Sequence, residues 1–266
     1  METKLDLLQE IIAGYESVLV AFSGGIDSAF VLKVARDTLG RRYAKAATAQ
    51  SDSLAARELA EAKKFAQTID VEHKIIATDE FQNPNYVSNP KNRCYYCKDE
   101  LYDKLLPIAE AWNLKTIASG TQLDDLGDAR PGLRAAEEHG VKSPLVEAGF
   151  TKQEVRRWAE KIGLEIWAKP ASPCLSSRIP HGDEITAAKL RQIETGENFL
   201  KDCGFKIVRL RHFGNKARVE LGAEEFVALM DPGLRQKITD FIRLLGFKVV
   251  HFEPYGQGRL NEEAIR

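Results

Sequence analysis

The stretch Val18-Leu-Val-Ala-Phe22 runs straight into Ser23-Gly-Gly-Ile-Asp-Ser28 and then into a helical pattern, Ala29 to Leu39, and no other feature limits the fold of this 266-residue chain as much. It reads as strand, glycine turn and helix. The alternation recurs: strands are expected at Tyr43–Ala49, Lys74–Thr78 and Lys115–Ser119, and helices at Asp52–Ile69 and Lys98–Trp112, with Pro107 as a kink or stop. Strands and helices of these lengths in strict alternation imply an α/β fold, a parallel sheet covered on both faces. Ligands of such sheets bind beyond the carboxyl ends of the strands, where the loops Ser23–Ser28 and Gly120–Pro131 would gather.

An amphipathic segment, Leu5–Tyr15, precedes this core. Thr151-Lys-Gln-Glu154 is a capping box that opens a helix to Ile162, closed by Gly163. Pro170, Pro173, Pro180 and Gly182 then punctuate a stretch with neither period, which is taken as a linker and a functional loop. Two domains follow, 1–182 and a smaller α+β domain over 183–266. The second reads as helix Glu184–Cys203, hairpin Lys206–Leu221, helix Pro232–Leu245 and strand Phe247–Phe252.

Composition excludes several classes. Lys and Arg number 38 against 39 Asp and Glu, so a polynucleotide is not an expected partner, since phosphate backbones are met by basic surfaces. Apolar runs such as Phe226 to Met230 fall far short of the roughly 20 residues that span a bilayer. Charges at Glu2, Lys4, Asp6 and Glu10 are wrong for a secretory signal, and a cytoplasmic location is expected. In that compartment four cysteines point to metal or redox chemistry rather than to a disulfide framework.

Ser23-Gly24-Gly25-Ile26-Asp27-Ser28 puts small residues and backbone amides at the mouth of a helix, where unsatisfied N–H groups and the positive dipole end favour an anion. Read as a whole, the string resembles the pyrophosphate-binding loop of the ATP pyrophosphatase (PP-loop) superfamily, and no G-x-x-x-x-G-K-[ST] is present. The resemblance implies an adenine nucleotide alpha hydrolase-like domain in which ATP is cleaved between its α- and β-phosphates. Ser23 and Ser28 would bond phosphate oxygens, and Asp27 with Asp125 or Asp124 would hold Mg²⁺.

Arg93-Cys94-Tyr-Tyr-Cys97-Lys98 sits just before the expected helix at Lys98, between two cations, in surroundings that favour thiolate. A C-x-x-C of this kind serves as a redox pair, half of a zinc site or part of an iron-sulfur site. Cys174 lies in Lys169-Pro-Ala-Ser-Pro-Cys-Leu-Ser-Ser-Arg-Ile-Pro-His-Gly182. Three thiolates without a fourth would leave one iron of a 4Fe-4S cluster open. Cys203, on the last turn of a helix, reads as apolar filler.

In Lys206-Ile-Val-Arg-Leu-Arg-His-Phe-Gly-Asn-Lys-Ala-Arg-Val-Glu-Leu221 a two-residue turn at Gly214-Asn215 fixes the register. Phe213 then faces Lys216, Arg211 faces Arg218 and Arg209 faces Glu220, all on one side. Facing arginines repel unless an anion lies between them. The pattern fits either a solvated polar face or a site for phosphate or carboxylate.

The S-G-G-I-D-S loop, the segment Gly120-Thr-Gln-Leu-Asp-Asp-Leu-Gly-Asp-Ala-Arg-Pro-Gly132, the P-C-L-S-S-R-I-P-H-G loop and the arginine hairpin together resemble the LarE family, the sulfur transferases of nickel-pincer nucleotide cofactor biosynthesis. The resemblance covers nearly the whole chain, and Cys94 with Cys97 makes it similar to the three-cysteine, 4Fe-4S kind. It implies that ATP adenylates the carboxylates of pyridinium-3,5-biscarboxylic acid mononucleotide and that sulfur displaces AMP. Cys94, Cys97 and Cys174 would hold the cluster, with sulfide on the open iron. Gly120 would belong to the nucleotide site. Arg209, Arg211 and Arg218 would take the substrate phosphate, with Ser177 and Arg178 near the carboxylates. Glu197, Glu220 and Glu225 (or Glu224) would be an acidic metal site. A homo-oligomer and an unidentified sulfur donor are also implied. A tRNA-thiolating enzyme of the same superfamily and a zinc-stabilised nucleotide sensor are the alternatives.

Overall fold

A computed structural model describes residues 3–127 and 131–256; Asp128 to Arg130 of the distal loop and the last ten positions of the expected second domain lie outside the described residues. The chain forms two compact units, Met1–Tyr86 with Asn92–Ser172, and Val87–Lys91 with Pro173–Arg266.

The first unit carries α1 (Lys4–Gly14), β1 (Val18–Ala21), α2 (Ile26–Leu39), β2 (Ala44–Gln50), α3 (Ala56–Thr68) and β3 (Glu72–Ala77). After the short turn α4 (Pro84–Val87) come α5 (Arg93–Ala111), β4 (Thr116–Ala118), α6 (Pro131–Glu138), α7 (Pro144–Glu147) and α8 (Lys152–Lys161). Its sheet is parallel, in the order β3-β2-β1-β4, with Val18 opposite both Ala44 and Thr116. Val18 and Val20 enter a core with Leu8, Phe30, Phe150 and Val155, whereas Leu19 and Ala21 face Leu101, Leu105 and Ala135. Period-two alternation between two covered faces is why β1 has no polar side chain. The strand order reverses between β1 and β4, which opens the ligand crevice of a doubly covered sheet above them.

Several boundaries differ from those read in the sequence. Helix α5 begins at Arg93 instead of Lys98, so Cys94 and Cys97 lie within its first five residues and not ahead of it. It also continues through Pro107 to Ala111. Leu101, Leu105 and Ala109, spaced by four, are buried on one stripe, and that burial outweighs the one backbone bond that proline removes. Helix α3 starts at Ala56, because Ser51 and Ser53 turn back to bond Glu80.

The second unit holds α9 (Ala187–Asp202), β5 (Val208–Phe213), β6 (Lys216–Leu221), α10 (Pro232–Leu244) and β7 (Val249–Pro254). Strands β5 and β6 are antiparallel and β6 and β7 parallel, a mixed sheet. The hairpin turns at Gly214 (φ 61°) and Asn215, and its register is the one expected, Arg211 opposite Arg218 and Arg209 opposite Glu220. A Cβ on Gly196 would come within 2.3 Å of the Leu210 side chain, so glycine lets α9 lie close on β5. Helix α9 starts at Ala187, with Thr186 as its cap, not at Glu184. Cys203 is half-buried at the other end.

The units part at Ser172 and Pro173, ahead of the proline-rich loop, whereas the boundary at 182 would lie behind it. The loop belongs with the second unit because Arg178 bonds Glu197 and Ser177 bonds Arg211, while the buried Asn89 amide donates to the carbonyls of Ile179, Pro180 and Asp183. Among the described residues no helix is long and apolar enough to cross a membrane.

Candidate active site

In the first unit the chain leaves β1 at Phe22 and closes a tight loop on its own hydroxyls. Ser23 N donates to Ser28 Oγ (3.2 Å), the two hydroxyls lie 3.0 Å apart, and Ser28 Oγ donates to Gly25 O (3.1 Å). Gly24 has φ +75°, a conformation that L side chains rarely adopt, and a Cβ there would meet Ala62 Cβ at 3.2 Å. Gly25 caps α2 with no side chain, so the N–H groups of the helix's first turn face outward, a ready anion site on a 14-residue helix. Gly120 rests directly on this turn: a Cβ would lie 2.5 Å from Ser28 N.

Asp27, one residue inside α2, pairs with the Lys152 ammonium at the start of α8. Burial pushes the Asp27 carboxyl above its usual range, with Lys152 opposing. Its second oxygen, Oδ1, is buried and has no hydrogen-bond partner. Asp124 accepts from Lys152 N (2.8 Å) and Asp125 from Gln122 N (3.2 Å). No group of three His, Cys, Asp or Glu side chains gathers to hold a metal among the described residues. Mg²⁺, however, takes one or two carboxylates together with waters and phosphate oxygens, and the unpartnered Asp27 oxygen suits that mode.

Lys152 escaped the sequence reading because it is the second residue of a capping box, and the box accounts for the local structure by itself. The signal was its sign: a cation in the first turn of a helix opposes the dipole and needs a counter-charge elsewhere. Lys169 was also missed. Its ammonium reaches Glu58 (2.6 Å), Glu61 (2.7 Å) and the Gly24 carbonyl (3.3 Å); burial works against its charge, and the two glutamates more than offset this.

Cys94 and Cys97 stand three residues apart near the start of α5 and so share a face. Neither is in a disulfide, and one is exposed and one half-buried. Gly132 of α6 lies against this stretch, where a Cβ would sit 3.2 Å from Lys98 Cγ and 3.5 Å from Cys94 O. Cys174, in the second unit, is a free, exposed thiol that precedes a single helical turn, Leu175–Arg178.

The arginine face is buried and not solvated. Arg218 is 0% exposed, and Arg209 and Arg211 are buried beside it. Arg211 Nη1 donates to Ser177 O (3.0 Å), which lays the cysteine-bearing loop against β5. Arg178 is fixed by Glu197 on two sides (Nε–Oε1 2.8 Å, Nη2–Oε2 3.0 Å) and donates from Nη1 to Ser177 Oγ and to the carbonyls of Pro173 and Cys174. The anion between the facing arginines is Glu220, which pairs with Arg211 (3.0 Å) and Arg218 (3.1 Å). Burial first, and then Arg178 and Arg211, hold the Arg209 guanidinium below its usual value. Glu197 and Tyr255 act in the opposite direction, so the charges around Arg209 oppose one another.

The carboxylates expected at an acidic metal site, Glu197, Glu220 and Glu225, have protein partners in the described residues. Glu197 and Glu220 are occupied by arginines, and Glu225 accepts from the Lys206 and Ile207 amides (2.7 and 3.0 Å) at the start of β5.

Residues 3–89, which span the β1 loop, match the NAD synthase family. An uncharacterized protein of Synechocystis is 43% identical over 98% of both chains. The pyridinium-3,5-bisthiocarboxylic acid mononucleotide synthase of Lactiplantibacillus plantarum is 34% identical over 98% of this chain and 95% of its own. The likeness thus spans the anion loop, the cysteines and the arginine strands together. The chain belongs to the pyridinium-3,5-bisthiocarboxylic acid mononucleotide synthases, the LarE family of the PP-loop superfamily.

Proposed function

We propose that this chain is an ATP-dependent, AMP-forming sulfur transferase acting on pyridinium-3,5-biscarboxylic acid mononucleotide in nickel-pincer cofactor biosynthesis. The observation that carries the reading is the full-length identity to the synthase that bears this name. A substrate carboxylate oxygen attacks the α-phosphorus of ATP, the bond to the bridging oxygen breaks, and pyrophosphate departs. The amides of Gly24 to Ser28 receive the pyrophosphate, helped by Ser23 and Ser28, while Asp27 and Asp125 hold Mg²⁺ and Gly120 keeps the two loops in register. A sulfur nucleophile then adds to the acyl carbon, the C–O bond to AMP breaks, and a thiocarboxylate remains. The second carboxylate follows the same course. Ser177, Arg178, Arg209, Arg211 and Arg218 bind and orient the substrate phosphate and carboxylates.

Cys94, Cys97 and Cys174, none of them in a disulfide, are thiols whose chemistry suits a 4Fe-4S cluster. Held by these three thiolates, such a cluster would supply one iron without a protein ligand, where extra sulfide could bind. Two of the thiols stand three residues apart near the start of α5.

The test is anaerobic purification with iron, sulfide and zinc analysis, followed by ATP turnover. AMP release that depends on the pyridinium mononucleotide is expected, together with loss of iron in Cys94→Ala. Zinc in place of iron, AMP release stimulated by tRNA alone, or a full cluster in Cys94→Ala would each overturn part of the assignment.

A further inference from the structure

The peptide that joins Phe22 to Ser23 is where β1 leaves the sheet and the anion loop begins. The ladder between β1 and β2 ends at Ala21 opposite Ala47, with one more bond from Phe22 N to Ala47 O (2.9 Å). The next group, the Phe22 carbonyl, has no strand partner and is bonded instead by the Thr48 hydroxyl (2.6 Å). The N–H on the other side of the same planar amide, Ser23 N, donates to Ser28 Oγ (3.2 Å). One amide plane is thus pinned on both edges, by β2 and by α2, and its orientation fixes where the amides of Gly24 and Gly25 begin.

The Thr48 proton is committed to Phe22 O, so the hydroxyl oxygen is left as an acceptor. His73 Nε2 lies 2.7 Å from it and must carry the proton there. His73 stands on β3, and its ring meets the Phe22 ring edge-on at 5.6 Å. Burial, and then Lys63, hold this imidazole down to about 4, so it is neutral near pH 7 and the Nε2–H tautomer is the one the bond requires. Thr48 is 2% exposed, so its hydroxyl has no water to replace either partner.

We propose that Thr48 and His73 are positioning residues for the pyrophosphate grip: a chain of hydroxyl and imidazole across three strands sets the amide plane from which the loop's N–H groups are aimed. The proposal rests on the reading of Ser23–Ser28 as the pyrophosphate loop.

Binding of inorganic pyrophosphate and of an α,β-methylene ATP analogue by calorimetry tests both. Thr48→Val keeps the shape and deletes the hydroxyl. Its affinity for pyrophosphate is expected to fall about tenfold, the loss of one buried hydrogen bond with its orphaned carbonyl. Thr48→Ser restores it, and KM for ATP rises in Thr48→Val more than kcat falls. His73→Leu, which leaves the Thr48 hydroxyl in place, should give a smaller loss of the same kind, and it carries the test if Thr48→Val does not fold. Wild-type affinity in a folded Thr48→Val, an equal loss in Thr48→Ser, or unchanged affinity in His73→Leu would overturn the proposal. If the wild-type protein binds neither probe, the reading of the loop itself fails.

Discussion

Replacing Glu197 with alanine should be among the costliest single changes in the second unit. The Arg178 and Glu197 side chains are 2% and 6% exposed, joined by two parallel N–H to O contacts of 2.8 and 3.0 Å. Truncation leaves a guanidinium in a dry site without its carboxylate, which costs about 3–5 kcal/mol. Glu197 Oε1 also accepts from Leu210 N at 2.9 Å, and that orphaned amide adds about 1–3 kcal/mol. With a urea m value of about 2 kcal/mol per molar, the midpoint of the transition that reports on this unit falls by about 2 M or more. The double variant Arg178→Met with Glu197→Leu removes both charges and should recover about 2 kcal/mol of the loss, because no unpaired ion stays buried. Urea titrations of the wild type and both variants, followed by circular dichroism, supply the comparison. The reasoning is refuted if Glu197→Ala costs less than about 1 kcal/mol, or if the double variant is no more stable than that single one.

Three other changes test the first unit. Gly120→Ala puts a methyl 2.5 Å from Ser28 N, so the distal loop must move off α2; AMP formation should fall by at least about 100-fold, a magnitude typical of misplaced catalytic groups, and unchanged turnover refutes the packing. Lys152→Met leaves Asp27 without its cation and should lower kcat/KM for Mg²⁺-ATP; steady-state kinetics over a Mg²⁺ series decide, and unchanged kcat/KM refutes a role for the pair. His73, held down to about 4, binds its proton more readily in the unfolded chain, whose value is near 6.5. Its contribution is therefore complete above about pH 6.5 and lost as the pH falls toward 4. The loss is at most about 3 kcal/mol, and His73→Gln should flatten that part of a stability-against-pH curve.

Periodicity made the first unit legible. Hydrophobic spacing in β1, α2 and α8 has one solution, and the capping box at Thr151 appears as read, with Glu154 Oε2 accepting from Thr151 N at 2.9 Å. The start of α5 was not legible. Asn92 makes no side-chain cap bond, and no local signal separates Arg93 from Lys98 as the first helical residue; the turn forms because Tyr95 and Gly132 tie it to α6. Thr48 and His73 were invisible for another reason. A threonine and a histidine on two strands look like ordinary β residues, and their meaning lies in which carbonyl of a third strand they reach, something that no single-strand pattern encodes.

The arginine hairpin shows where such reading stops. Counting back from Gly214 gave the facing pairs correctly, and the repulsion between Arg211 and Arg218 correctly demanded an anion. That anion is Glu220, two residues from Arg218 on the same face, a residue expected on other grounds at an acidic metal site. The choice turned on burial. In water one glutamate between two arginines is a modest contact, but with Arg218 wholly enclosed it is a structural counter-ion whose removal would leave two guanidiniums unpaid. The cover over Arg211 comes from the aperiodic loop Pro173–Arg178, whose path no hydropathy pattern foretells. Glu197 and Glu220 are thus committed inside the protein as counter-ions, and the neighbouring buried Arg209 lies over the Tyr255 ring at 5.3 Å.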